Sequence, residues 1–329
     1  MVCLNMNNFA LEDIEKFLID IYVIGYKNQG ESIYIRLKTD DNSFFKDILI
    51  DCYATDYNRT MELLEKVKVE NNYINYICVS HYHDDHIREI DKVIKKYSKK
   101  DTVILMPNVD REDSLSDLAK EVRTCIAERR ARGRRNYGHV RTISNPETNI
   151  MLETIESYNK KINVGISAIT PYSDITVVNA TKAIDEINQN DYSIALVLSI
   201  NGLNILLSSD IMNNTIRMIE KQGDIHYLKI PHHCSNDSDK IFEKIDMLPN
   251  TICVSTNYKS SGLPNKSVLN LYNEKTNYVY VTYSDSSNDD YGIVHTRYMM
   301  NLNNNEIRFG TECLNNSQKY EKEDVWNVV

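Results

Sequence analysis

No Cys-x-x-Cys pair occurs in the 329 residues, and the seven cysteines (Cys3, Cys52, Cys78, Cys125, Cys234, Cys253, Cys313) are odd in number and scattered. That argues against a disulfide framework and for reduced thiols in a cytosol. No stretch approaches the ~18 uninterrupted apolar residues that a membrane helix needs. Met1 to Glu15 also lacks the basic-then-apolar order of a secretion signal. A soluble, cytoplasmic protein without membrane association is expected. No Gly/Ser-rich or Pro-rich linker and no internal repeat divides the chain. An excess of positive charge is missing too: the net charge of −9 argues against general nucleic-acid affinity.

The positive charge that is present is concentrated. Eight of the fourteen arginines fall between Arg111 and Arg141, where nine basic residues face five acidic ones, so this window carries +4 and the rest of the chain −13. A local basic patch on an acidic protein says more about partners than the total does.

Apolar periodicity gives an α/β rhythm. A short helical start (Leu11 to Phe17) leads to strands at Ile19 to Ile24 and Ser32 to Leu37, bracketed by Gly25 and Gly30 as a hairpin. Asp47 to Ile50 forms a strand that runs into Asp51, Thr60 to Glu70 a helix, and Ile74 to Ser80 a strand that delivers a histidine cluster. Leu115, Leu118, Val122 and Cys125 recur at helical spacing, and this helix ends in the arginine-rich stretch. Pro146 suits the first position of a further helix, to about Tyr158. In the second half, Asn201-Gly202 is a hairpin turn with Asp210 just beyond it, and a strand at His226 to Ile230 ends in Pro231-His232-His233-Cys234-Ser235. A closing hairpin pairs Gly292 to Met299 with Glu306 to Phe309. The expectation is an α/β fold, an αββα four-layer sandwich. Residues 1–310 form one domain with a helical arginine-rich insertion at about 111–160, and 311–329 form a C-terminal tail.

The chemistry concentrates in His81-Tyr82-His83-Asp84-Asp85-His86. His-x-His at a strand end sets two imidazoles on one side, because side chains alternate with period two. Asp85 and His86 then fall in the turn entering a helix, where they face a second ion. Imidazole and carboxylate ligands suit Zn²⁺ and Mn²⁺, so one or two divalent ions are the expected cofactor. Asp210 and His232 or His233 stand at later strand ends, where the remaining ligands belong.

The segment His81-x-His83-x-Asp85-His86 resembles the signature of metallo-β-lactamase-fold hydrolases, and Ile48-Leu49-Ile50-Asp51 looks like that fold's first motif. Within the superfamily the chain is similar to the soluble hydrolase domain of ComEC-type DNA-uptake proteins. Ser193, Ser208-Ser209-Asp210 and Ile230-Pro231-His232-His233-Cys234-Ser235 match that domain's Ser-containing hairpin, Thr-Gly-Asp and Val-x-His-His-Gly-Ser segments. The likeness spans about Ile19 to Phe309 and implies a metal-dependent hydrolase. It implies His81 and His83 on one ion, Asp85 and His86 on the other, Asp210 bridging, and His232 as the last ligand with His233 the close alternative. Asp85, Asp210 and His233 are the implied catalytic residues. Asp51 supports the site without binding metal, and Asp84 is a helix-start or supporting group.

Three departures stand out. The third histidine of the first ion has no clear counterpart; His139, in the arginine-rich segment, reads as a surface residue or as that ligand. Cys234 replaces a glycine, and Gly262-Leu263-Pro264 replaces Gly-His-Pro.

Two-ion sites of this type cleave phosphodiesters, esters, thioesters or lactams, and fold alone does not choose. Arg129, Arg130, Arg132, Arg134 and Arg135 form the expected substrate groove, tracking phosphates next to the ions. The plainer reading is a solvated helix end with arginines at its negative pole. The expected function is a phosphodiesterase, a DNA or RNA nuclease using a metal-bound hydroxide. A hydrolase of nucleotide or cyclic-nucleotide signals is one alternative, and a metal-stabilised binding subunit acting with a protein partner is another.

Overall fold

Alternating β-branched and aliphatic residues in both halves of the chain build two large mixed sheets. The computed structural model describes residues 2–3, 15–67, 73–132, 139–157, 159–283 and 290–321. The first sheet uses β1 (Val2–Cys3), β2 (Lys16–Tyr26), β3 (Gly30–Thr39), β4 (Phe45–Ile50), β5 (Tyr76–Cys78), β6 (Val103–Pro107) and β7 (His139–Ile143). It is completed by β15 (Tyr291–Asn301) and β16 (Ile307–Asn315) in the order β1-β16-β15-β2-β3-β4-β5-β6-β7. The second contains β8 (Glu147–Ser157), β9 (Lys160–Ala168), β10 (Leu196–Ile200), β11 (Leu203–Leu207), β12 (Asp224–Lys229), β13 (Asp246–Ser255), β14 (Val279–Val281) and β17 (Gln318–Lys319). Its order is β17-β14-β13-β12-β11-β10-β9-β8. Helices α1 (Arg59–Lys66), α2 (Asp84–Ile87), α3 (Ile90–Tyr97), α4 (Asp117–Arg132), α5 (Ser173–Ala180), α6 (Asn213–Ile216) and α7 (Lys266–Lys275) lie between strands.

Three apolar clusters show how the elements pack. Phe17, Ile19, Ile21 and Val23 of β2 share one cluster with Val164, Leu198, Ile205 and Val254 of the second sheet. Leu49 and Ile77 of the first sheet pack instead with Leu64, Val93, Ile94 and Val122 from α1, α3 and α4. Leu206 and Leu228 of the second sheet pack with Ile216, Leu269 and Tyr272 from α6 and α7. Each sheet therefore buries both faces, which is why β2 reads as a nearly continuous apolar run rather than a clean alternation. Among the described residues no helix is long and apolar enough to cross a membrane.

Strand direction positions the site. β4 and β5 run parallel, as do β11, β12 and β13. Asp51 follows β4, the histidine cluster follows β5, Asp210 follows β11, and the His232-His233 pair follows β12. Carboxyl ends of parallel strands are where open α/β sheets carry their chemistry. Asn201 and Gly202 form the expected turn between β10 and β11, both with positive φ (44° and 89°).

Three expectations need correction. Pro146 starts no helix: residues 147–157 are β8, antiparallel to β9. Met151, Ile155 and Ser157 are buried while Leu152, Thr154 and Glu156 are exposed, so the period is two and a long partner strand outweighs the proline signal. Within 111–160 the helical parts are therefore a short 3-10 turn at Glu112–Ser114 and α4. The segment from Thr311 is not a loose tail up to residue 319, because β16 pairs with β15 (Thr311 with Thr296, Cys313 with Val294) and β17 pairs with β14. At the start, Phe17 belongs to β2, and the rest of the expected first helix (11–14) lies outside the described residues.

Candidate metal centre

Asp51 is buried at the end of β4, with φ of 59°, in the left-handed region. Its Oδ1 accepts the Ser80 N–H at 2.7 Å, and its Oδ2 accepts from the Ser80 hydroxyl and from His86 Nδ1, the latter at 2.8 Å. A carboxylate accepts, so His86 donates to it from Nδ1, and Nε2 is the nitrogen left to face a bound cation. The Ser80 proton is likewise committed to Asp51, so Ser80 Oγ accepts from His81 Nδ1 at 3.0 Å. That leaves His81 Nε2 as an acceptor, paired with His83 Nδ1 at 3.2 Å. One buried aspartate thus orients two histidines and lies close enough to His81 and His86 to form a candidate ligand group with them.

His86 Nε2 lies 3.6 Å from Asp85 Oδ2 and 3.4 Å from Asp210 Oδ2. His233 Nε2 lies 3.3 Å and 3.4 Å from the same two oxygens. Ligands of a tetrahedral ion at ~2.0–2.1 Å stand about 3.4 Å apart, which is the spacing seen here. His86 Nε2, His233 Nε2 and Asp210 Oδ1 are buried with no hydrogen-bond partner. Unpartnered polar atoms are costly in a protein interior, and their convergence beside carboxylates fits a cation. These buried groups could therefore hold a metal ion.

Electrostatics divide the histidines into two kinds. Burial pulls His86 down, but Asp210 and Asp85 outweigh it and hold the imidazole well above its ordinary pKa. Burial acts the same way on His233, yet Asp210 and Asp85 push it up to about 9. In return, Asp210 is held well below the carboxylate range: burial raises it, and His233 and His86 more than offset that. His81, His83 and His232 are lowered, chiefly by burial, and so present neutral imidazoles. Both His81 and His83 feel the charge of Asp210.

The geometry sorts the remaining expected residues. His233, not His232, joins Asp85, His86 and Asp210. His232, His233 and Cys234 have φ of 48°, 47° and 66°, three successive left-handed residues. This turn drives His233 inward and aims His232 Nε2 at Asn190 Nδ2, 3.2 Å away. Cys234 occupies a conformation that favours glycine, which accounts for the glycine of the resembled motif. Asp84 stands half-exposed at the start of α2, bound to Arg88 at 3.0 Å and to the Ser116 hydroxyl at 3.2 Å, outside the ligand group. His139 is exposed on edge strand β7, two strands from β5, and takes no part.

Above the ligands opens a cleft of about 830 Å³, walled by Tyr53, Tyr82, Arg88, Asn190 and Tyr258. Of the five arginines expected to form the substrate groove, Arg129 is the one whose side chain is described, and it does not line this cleft. Arg129 donates to the carbonyls of Ile94 (3.1 Å), Lys95 (2.9 Å) and Ser98 (3.3 Å), binding the carboxyl end of α3. A guanidinium satisfying terminal helix carbonyls is the plainer of the two readings. Arg134 and Arg135 lie outside the described residues, as do the side chains of Arg130 and Arg132.

Sequence reasoning passed over Glu31, Ser80, Arg88, Lys229 and Thr256. Two of them left a trace: Lys229 interrupts the apolar run Tyr227 to Ile230, and Glu31 opens a buried strand directly after Gly30. Gly30 itself makes room for the site, since a Cβ there would stand 2.0 Å from the Tyr53 ring. No protein-family model matches the chain, and no curated protein does.

Proposed function

We propose that the chain is a metal-dependent hydrolase of the metallo-β-lactamase type, an αββα sandwich that cleaves phosphodiesters in a nucleic acid or nucleotide. The observation that carries this is the convergence, at the floor of an open cleft, of His86 Nε2 and His233 Nε2, each 3.3–3.6 Å from Asp85 Oδ2 and Asp210 Oδ2 and neither with a hydrogen-bond partner.

Asp85, His86, Asp210 and His233 would hold one ion, and His81 and His83 with Asp210 would hold another. Divalent ions bound there would supply Lewis acidity towards a phosphoryl oxygen and activation of water. The chain's own residues do the rest. Asp51 orients His86 and, through Ser80, His81. Asp51, Asp85 and Asp210 do not fully cancel two divalent charges, so the centre keeps a positive excess that favours an anionic substrate. Arg88 is the cleft's arginine among the described residues, and it stands where a phosphate entering over the centre is met. Tyr53 and Tyr82 are buried in the cleft wall, and the partly exposed Tyr258 offers a ring on which a base can stack.

The test is metal content together with hydrolysis of single-stranded DNA, RNA, cyclic nucleotides and a small aryl phosphodiester, with Zn²⁺ or Mn²⁺. Turnover that disappears in both Asp85→Ala and Asp210→Ala supports the proposal. Turnover of cyclic nucleotides alone narrows it to a signal hydrolase. Bound metal with no turnover of any substrate overturns it in favour of a binding subunit.

A further inference from the structure

We infer that Glu31 is a positioning residue that, relayed by the Thr256 hydroxyl and held by Lys229, fixes which ring nitrogen of His233 faces the metal centre. The centre's purpose rests on the hydrolase reading above; the relay itself follows from counting protons.

Lys229 is fully buried, and its ammonium donates to Glu31 Oε2 at 2.7 Å and to the Ile230 carbonyl at 3.0 Å. A buried carboxylate beside a buried ammonium stays ionised, and an ionised carboxylate only accepts. The Thr256 hydroxyl therefore donates to Glu31 Oε2, 2.6 Å away. With its single proton committed, Thr256 Oγ1 can only accept from His233 Nδ1 at 2.8 Å. His233 then donates from Nδ1, and Nε2, 3.3 and 3.4 Å from Asp85 and Asp210, is the nitrogen left for a bound ion, which would take the place of any proton there.

The hydroxyl is needed because Glu31 Oε2 is 3.7 Å from His233 Nδ1, beyond direct hydrogen bonding. The two histidines of the four-atom group are thus set by different devices. His86 has a carboxylate in direct contact, and His233 has one relayed through a hydroxyl. Glu31 comes from β3 in the first sheet, while Lys229 ends β12 and Thr256 directly follows β13 in the second. The relay also crosses the gap between the sheets. Lys229 cancels the charge of Glu31, so the centre gains orientation without a further net negative charge.

The test uses the full chain with histidines labelled in ¹⁵N, following zinc affinity by chelator competition and the His233 tautomer by long-range ¹H–¹⁵N correlation. Thr256→Val keeps the shape and removes the relay; Thr256→Ser keeps the relay. The double variant Glu31→Gln/Lys229→Met removes the charge pair together, so no lone buried charge is left to unfold the chain. We expect the Nδ1–H tautomer in the zinc-bound wild type and in Thr256→Ser. Thr256→Val and the double variant should lose that preference and bind zinc ~10–100-fold more weakly, the range for groups that orient a metal ligand. Affinity within twofold of wild type and an unchanged tautomer in Thr256→Val would overturn the relay. A wild type that binds zinc and hydrolyses nothing would sink the hydrolase reading and leave the relay standing. A wild type that binds no zinc sinks both.

Discussion

At the scale of single residues, the choice between His232 and His233 is made by backbone conformation, and backbone conformation is what a sequence motif carries least directly. Three consecutive left-handed residues rotate the pair so that His233 enters the ligand group and His232 turns to Asn190. His233→Ala should therefore lose one tightly held metal equivalent and reduce turnover by more than ~10²-fold, beyond the effect of losing a group that merely orients a ligand. His232→Ala should keep that equivalent. Metal analysis of the two purified variants decides it, and the reverse pattern would show that the turn presents the other ring. The ligands themselves were legible because His-x-His-x-Asp-His is a local pattern that a strand end and one helical turn complete. Glu31 and Thr256 were not. They meet His233 only through tertiary packing, 225 residues apart in the chain.

At the scale of elements, α4 was legible as a helix from its apolar spacing, but the role of its arginines was not. Charge density does not say whether a guanidinium reaches a ligand or the end of a neighbouring helix. Arg129→Ala should lower stability by ~1–3 kcal/mol, the usual range for hydrogen bonds made by a charged group. It should leave the salt dependence of any nucleic-acid binding unchanged. Urea melts and binding at two ionic strengths check both, and a flattened salt slope would return Arg129 to the substrate groove. β8 escaped sequence reasoning for a related reason, since its partner β9 decides the conformation that Pro146 seemed to specify. A second prediction belongs to the pairing of β2 with β15. There Asp20 accepts from His295 Nε2 at 2.7 Å and from Arg297 at 2.7 and 3.0 Å. Burial alone would raise the Asp20 pKa, but these partners overcome it and hold the carboxyl below its usual range. A folded pKa below the unfolded one gives stability that is present above the unfolded value and lost as pH falls through the folded one. Asp20→Asn should cost on the order of 3 kcal/mol near neutral pH. It should also flatten the acid limb of the stability curve. An acid limb as steep as that of wild type would show that other carboxylates carry it.

For the whole molecule, the two sheets meet through an apolar interior and again through the candidate metal centre. Asp51 and the histidine cluster come from the first sheet, and Asp210 and His233 from the second. The α/β rhythm and the strand ends carrying these groups were readable because hydrophobic period and turn residues are local. The order of the strands was not, since it depends on contacts between distant segments. Because ligands from both sheets converge, ion binding acts on the folded state as a unit, and its free energy adds to the stability of the entire chain. At free zinc 100-fold above Kd this amounts to ~2.7 kcal/mol. For a chain of this size that corresponds to a rise in thermal midpoint on the order of 5 °C. Calorimetry should then show a higher midpoint with zinc than with chelator, and that increment should vanish in Asp85→Ala and Asp210→Ala. A wild-type midpoint indifferent to chelation would mean that the unpartnered His86 Nε2, His233 Nε2 and Asp210 Oδ1 are stabilised by something other than a metal ion.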